Sequence, residues 1–184
     1  MNRRHGYLLA ATCVATLTSC GATSSVREPD EYLGCATDEH WRTFDDRELS
    51  GMVTIDDAQA PLVISPTTGA MLPVTSRPTI TWQLSSTLSG RPNGNAVCAD
   101  RCAICGQHEP PVSGDVYDVQ FSTDGVLRWR ALTTLQSFQP SAAAWALFKG
   151  KTVSLRLERM ELKANDPQAG PFQARTPLSF TVGN

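Results

Sequence analysis

Period-two alternation of apolar and polar residues constrains this chain more than any other feature. From Thr79 to Leu84 the apolar positions are Ile80, Trp82 and Leu84; from Val116 to Phe121 they are Tyr117, Val119 and Phe121. Leu127, Trp129 and Ala131 alternate with Arg128 and Arg130, and Val153, Leu155 and Leu157 with Ser154, Arg156 and Glu158. Leu178, Phe180 and Val182 alternate with Ser179 and Thr181, and Leu62, Val63 and Ile64 supply an earlier strand. Successive strand residues point to opposite faces, so these runs describe one buried and one wet face, the pattern of antiparallel sheet. Turn formers separate them: Pro66-Thr67-Thr68-Gly69, Asp124-Gly125, Lys149-Gly150-Lys151, and Asp166-Pro167 with Gly170-Pro171. About seven short strands punctuated in this way predict an all-β antiparallel sandwich. The Ala-rich stretch Ser141 to Phe148, with a serine able to cap its start, predicts one helical turn between strands. Trp82 and Trp129 fall on the apolar phase and are expected in the core, not on a sugar-stacking platform.

The first residues have a different character. Asn2-Arg3-Arg4-His5 is basic, and the apolar run Tyr7 to Leu17 is too short to span a bilayer comfortably, so it reads as a signal segment. The following Leu17-Thr18-Ser19-Cys20 resembles the lipobox of bacterial lipoproteins. That resemblance implies cleavage before Cys20, a thioether lipid on Cys20, and acylation of the new amino terminus by a chain such as palmitate. Two or three acyl chains anchor stably where one does not. In that family an Asp after the cysteine often signals inner-membrane retention. Gly21 therefore points to a cell-envelope protein on the outer rather than the inner membrane, if the source has two.

Residues 1–19 are thus expected to be a signal peptide, 20–60 an acidic tether and 61–184 the β domain. The tether carries Glu28, Asp30, Glu31, Asp38, Glu39, Asp45, Asp46, Glu48, Asp56 and Asp57 against Arg27, Arg42 and Arg47. It shows no clear apolar period, so little regular structure is expected. Trp41, Phe44 and Met52-Val53-Thr54-Ile55 are exceptions expected to dock on the domain, the last as an added strand.

Across residues 60 to 184 the strands resemble bacterial immunoglobulin-like or fibronectin type III-like domains. The carriers are Ile64-Ser65-Pro66 and Gly69, Pro78 with Thr81-Trp82, and Tyr117-Asp118-Val119. Two more are the Trp145 to Lys151 crossover into Thr152-Val153-Ser154-Leu155, and Pro177-Leu178-Ser179-Phe180-Thr181-Val182. The resemblance implies architecture and says little of function. The sequence departs from it in a long insertion, 89–113.

That insertion holds Cys98, Cys102, Cys105 and His108. With Cys35 there are four cysteines besides Cys20 and the signal's Cys13, an even number in an exported chain, so two disulfides are the default. Three pairings are open; one bridge within the cluster and one from it to Cys35 is favoured. The alternative is a zinc site built from Cys98, Cys102, Cys105 and His108, which would leave Cys35 single. A haem attachment fails because Gly106, not His, follows Cys105.

Net charge of -2 gives no whole-chain pull toward nucleic acid. No Gly-x-Ser-x-Gly elbow, phosphate-binding glycine loop or His-Glu-x-x-His occurs, and no cofactor is implied. Asp115 and Asp118 flank a strand start and are expected to be solvated. A pocket gathering His40 or His108 with acids would change the non-enzymatic reading. Arg128, Arg130 and Arg156 are expected to line an outer sheet face. They would serve an anionic partner such as a glycan or lipid head group, or receive the acidic tether folded back, or pair with acids such as Glu158. The function expected is that of a membrane-anchored envelope lipoprotein whose sandwich binds or scaffolds another envelope component. A metal-binding or redox module on Cys98, Cys102 and Cys105 is the alternative.

Overall fold

A computed structural model describes residues 27–84 and 111–184, with the strand pairing of Val97–Cys98. In chain order the elements are β1 (Glu31–Leu33), α1 (Asp38–Leu49), β2 (Thr54–Ile55), β3 (Leu62–Ser65), β4 (Met71–Leu72), β5 (Ile80–Gln83) and β6 (Val97–Cys98). They continue with β7 (Val112–Thr123), β8 (Val126–Thr133), β9 (Ser137–Phe138), α2 (Ala142–Ala146), β10 (Thr152–Lys163), β11 (Asp166–Gln173) and β12 (Leu178–Val182). Strand is the main regular structure of the described residues, with two helices beside it. Seven of these strands are four or more residues long; the other five are pairings of two or three residues.

Two open sheets pack face to face. The larger runs β1-β8-β7-β10-β11-β2, with β12 also on β10, β4 on β12 and β6 on β7; the smaller is β3-β5-β9. Between them lies an aromatic core of Trp82, Tyr117, Phe121, Trp129, Phe138, Trp145, Phe148 and Phe180. The alternating positions Ile80, Tyr117, Val119, Phe121, Trp129, Ala131, Val153, Leu155 and Leu157 all face it. The Asp124-Gly125 turn closes the β7–β8 hairpin with both residues at positive φ, 53° and 74°. Ser141 caps α2 by accepting a hydrogen bond from the Ala144 amide at 3.2 Å.

The expectation of an unstructured tether over 20–60 is corrected: from residue 27 onward the segment is part of the fold. β1 runs parallel to β8, with Glu31 opposite Ala131, and β2 pairs with β11 at Phe172 and Gln173. α1 supplies a third layer. Trp41 and Phe44 are buried against Val112, Val116, Leu132, Met160 and Leu162, on the face of the larger sheet away from the aromatic core. Asp38 and Glu39 in the first turn and Arg47 in the last match the helix dipole. Gly51, at φ 66°, ends it. The wet face expected for β7 and β10 is therefore dry along much of its length.

A second correction concerns residues 166 to 171, expected to be a turn. They form β11, antiparallel to β10 with two register shifts. The reversal lies one step earlier, at Ala164 and Asn165, whose φ values of 51° and 70° make a two-residue hairpin turn. Pro167 and Pro171 are tolerated because β11 is bordered on its far side only by the two-residue β2, and prolines suit such edges and bulges. Gly170 is obligatory there, since a Cβ would sit 2.5 Å from the Arg159 carbonyl oxygen. Within the insertion 89–113, Val97 and Cys98 pair with Ser113 and Val112, so its last residues already belong to β7.

Candidate functional site

The three arginines expected on one outer face do not share a fate: Arg156 and Arg130 lie in one row, and Arg128 falls at the irregularity between β7 and β8. Arg156 lies opposite Gln120, and Gln120 opposite Arg130, across β10, β7 and β8. Arg156 is exposed, and Arg128 is exposed with its Nε donating to Thr123 Oγ1 at 3.0 Å. Arg130 is completely buried and cannot meet a partner. Two acids enclose it. Its Nε donates to Asp118 Oδ1 at 2.8 Å, and its Nη2 donates to Asp118 Oδ2 and, at 2.7 Å, to Glu48 Oε2. Nη1 donates to the Arg27 carbonyl at 3.2 Å, and the guanidinium lies 4.2 Å from the Trp41 ring centroid. Arg130 thus binds the acidic N-terminal segment folded back on the sheet.

Glu48 reaches this position because Trp41, Phe44 and Glu48 stand at i, i+3 and i+7 of α1, on one helical face. Glu158 completes the group. It sits on β10 directly opposite Asp118 and is 2% exposed. Its Oε2 has no hydrogen-bond partner among the described residues. Carboxylate oxygens of Glu48, Asp118 and Glu158 all lie within 4.8 Å of one another. Burial, then the negative charges of Asp118 and Glu48, push Glu158 up to about 8; Arg130 and exposed Arg156 only partly offset this. Glu48 is also raised, by burial first, with Arg130 opposing.

Asp115 and Asp118, expected to be solvated, are both buried. Each has its own arginine: Asp118 pairs with Arg130 on the α1 side, and Asp115 accepts from Arg159 Nε at 2.7 Å. Being an odd number of residues apart on β7, they point to opposite faces and form no acid pair. His40 is held at both ring nitrogens: its Nδ1 accepts from the Thr37 amide at 3.1 Å, and its Nε2 faces Asn165 Oδ1 at 3.1 Å. That joins the start of α1 to the β10–β11 turn.

A second feature is a groove between the sheet edges, with a volume of about 280 Å³. It is lined by Pro61, Leu62, Val63 and Thr68, by Leu155 to Leu157, and by Ala174, Thr176, Pro177 and Leu178. It opens where the neighbour of β10 changes from β12, paired as far as Leu155, to β11, paired from Glu158. β3 is the terminal strand of its sheet, so its outer edge has no strand partner among the described residues.

Cys35 is disulfide-bonded. Cys20, Cys102, Cys105, His108 and the Cys98 side chain lie outside the described residues, so the lipid site and the cluster pairing are not placed. No helix among the described residues is long and apolar enough to cross a membrane. Comparison with family models, curated proteins and solved structures finds no significant match.

Glu158 makes the stability of the metal-free protein depend on pH. Below about 4.5, its ordinary value, the folded and unfolded chains are both protonated and the residue is neutral in effect. Between that value and about 8 only the unfolded chain is ionised, so stability falls as pH rises, and above about 8 the whole cost is present. Glu158→Gln, which mimics the protonated acid, should match the parent near pH 4.5. By pH 9 it should melt roughly 5–10 °C higher, as a few kcal/mol implies for this size. Parallel melting curves across this range would show that Glu158 is not held protonated.

Proposed function

We propose that this protein is a lipid-anchored envelope protein whose immunoglobulin-like sandwich acts by contact, taking an extended segment of another envelope protein along the edge of β3. The open β3 edge beside the groove carries this reading. An unpaired strand edge offers backbone donors and acceptors to an incoming strand, and an adjacent apolar hollow takes one of its side chains. About 280 Å³ falls just below the range of small-molecule sites, so the groove suits an inserted side chain better than a free ligand. Pro61 and Pro66 bound β3 and restrict such pairing to a short segment. The disulfide at Cys35 supports an oxidising compartment. The likeness to immunoglobulin-like or fibronectin type III-like domains rests on the seven longer strands and their two-sheet packing.

The anchor would be close. If lipid is carried on Cys20, seven residue steps separate it from Arg27, the first described residue, a reach of at most about 25 Å. The domain would then work near the bilayer surface rather than at the end of a long stalk.

The test places a photo-crosslinking residue at Leu62 or Thr176, or at Asp124 on the opposite hairpin as control, in intact cells. Leu62 and Thr176 should give the same adduct and Asp124 none; equal labelling at all three, or none at any, would overturn the docking edge. In parallel, Cys20→Ser should move the protein out of the membrane fraction, and continued membrane association would sink the anchor.

A further inference from the structure

The Glu48–Asp118–Glu158 group has a charge and hydrogen-bond deficit that no other described residue fills. Three carboxylates face one buried guanidinium, so full ionisation leaves two negative charges uncompensated; Arg156 is exposed, and water screens it. Arg130 occupies both Asp118 oxygens and Glu48 Oε2. Gln120 Nε2 donates to Asp118 Oδ2 at 2.7 Å and to Glu48 Oε1 at 3.4 Å. Among the described residues Glu158 receives nothing comparable: its buried Oε2 has no hydrogen-bond partner there, and one carboxylate oxygen from each of the three acids lies within 4.8 Å of the others. A buried polar atom left in this way costs the fold unless something fills the space.

We propose that Glu48, Asp118 and Glu158 form a binding site for one hard divalent cation, Ca²⁺ or Mn²⁺. The donors are all carboxylate oxygens, with no imidazole or thiolate among them, which suits hard cations and not zinc or copper. One divalent ion cancels the two excess charges, where a single proton cancels one. Entry lies past Glu48, whose side chain is 16% exposed while those of Asp118 and Arg130 are fully buried. The ligands come from α1, β7 and β10, so the ion staples the N-terminal layer to the central strands of the larger sheet. This inference stands apart from the β3 edge and does not depend on it.

Tb³⁺, which replaces Ca²⁺ and emits when a nearby tryptophan is excited, provides the test. Trp41 lies against Arg130 at the site. The full mature chain is stripped with chelator and titrated with Tb³⁺. Sensitised emission should saturate at one equivalent, fall on adding Ca²⁺ or Mn²⁺, and lose most of its intensity in Trp41→Phe. Glu158→Gln should weaken binding at least tenfold. Glu48→Gln, at the rim of the site, should do likewise and serves if the first variant fails to fold. Emission that never saturates, that persists undiminished in both variants, or that neither Ca²⁺ nor Mn²⁺ displaces would overturn the site.

Discussion

Arg130→Ala is expected to lower stability by about 3–5 kcal/mol, because it leaves buried carboxylates without their counter-charge. For a chain of this size that corresponds to a melting midpoint roughly 10 °C lower. The loss has two parts. Asp118, fully buried, surrenders its fork of hydrogen bonds, and Glu48 loses the contact that ties α1 to β8. The Trp41 ring also loses the cation beneath it. Arg130→Lys should recover only part of the deficit, since a single ammonium cannot hold Asp118, Glu48 and the Arg27 carbonyl together. Arg130→Met combined with Asp118→Leu should be milder than Arg130→Ala, because it removes the fully buried pair instead of breaking it and leaves the cost of Glu48 without its guanidinium. Chemical denaturation of the three variants distinguishes these outcomes. If Arg130→Ala unfolds at the parent's midpoint, the enclosed ion group does not secure the N-terminal layer.

The same residues show where the sequence was legible. Every alternating apolar run became a strand facing the aromatic core, because one buried face imposes a period of two that no local preference overrides. What the alternation could not reveal was a cover on the other face. In β7 and β10, Asp118 and Glu158 occupy positions that read as wet, and only α1 makes them dry. The helix is hard to read from sequence because its buried stripe contains only two strongly apolar residues, Trp41 and Phe44, in a stretch otherwise polar and acidic. Its signal was present in another form: Thr37 before Asp38 and Glu39, Arg47 near the end and Gly51 beyond it. The i, i+3, i+7 placement of Trp41, Phe44 and Glu48 would then have directed a carboxylate at the sheet. The folding back of acids onto the arginines was readable from charge alone, but its consequence, a buried Arg130, required the third layer. β11 was hidden for a different reason. Its two prolines and a glycine mimic a turn, and only pairing with β10 shows that an edge strand tolerates them.

Phe121→Ala should match or exceed the Arg130 effect, for a reason that owes nothing to charge. Phe121 is fully buried and lies opposite Trp129 on β8 and Leu155 on β10, at the centre of the larger sheet. Its ring stands edge-on to Trp129 at 5.2 Å and stacks on Phe148 at 5.4 Å. Phe138 and Phe180 follow at 6.2 and 6.4 Å. Phe138 belongs to the smaller sheet, Phe148 follows α2 and Phe180 lies on β12, so one side chain connects both sheets and the crossover between them. Removing a ring from such a site costs about 3–5 kcal/mol through lost transfer energy and the cavity left behind. Each aromatic pair adds about 0.5–1.5 kcal/mol beyond area. Rigid neighbours on three elements cannot all close inward, which places the expected loss at the upper end. Val126→Ala, half-exposed at the hairpin end of β8, should change stability by no more than about 0.5 kcal/mol. Urea unfolding followed by tryptophan fluorescence measures both, since Trp129 lies in contact with the altered site. A Phe121→Ala protein as stable as Val126→Ala would mean that the two sheets do not share a packed core.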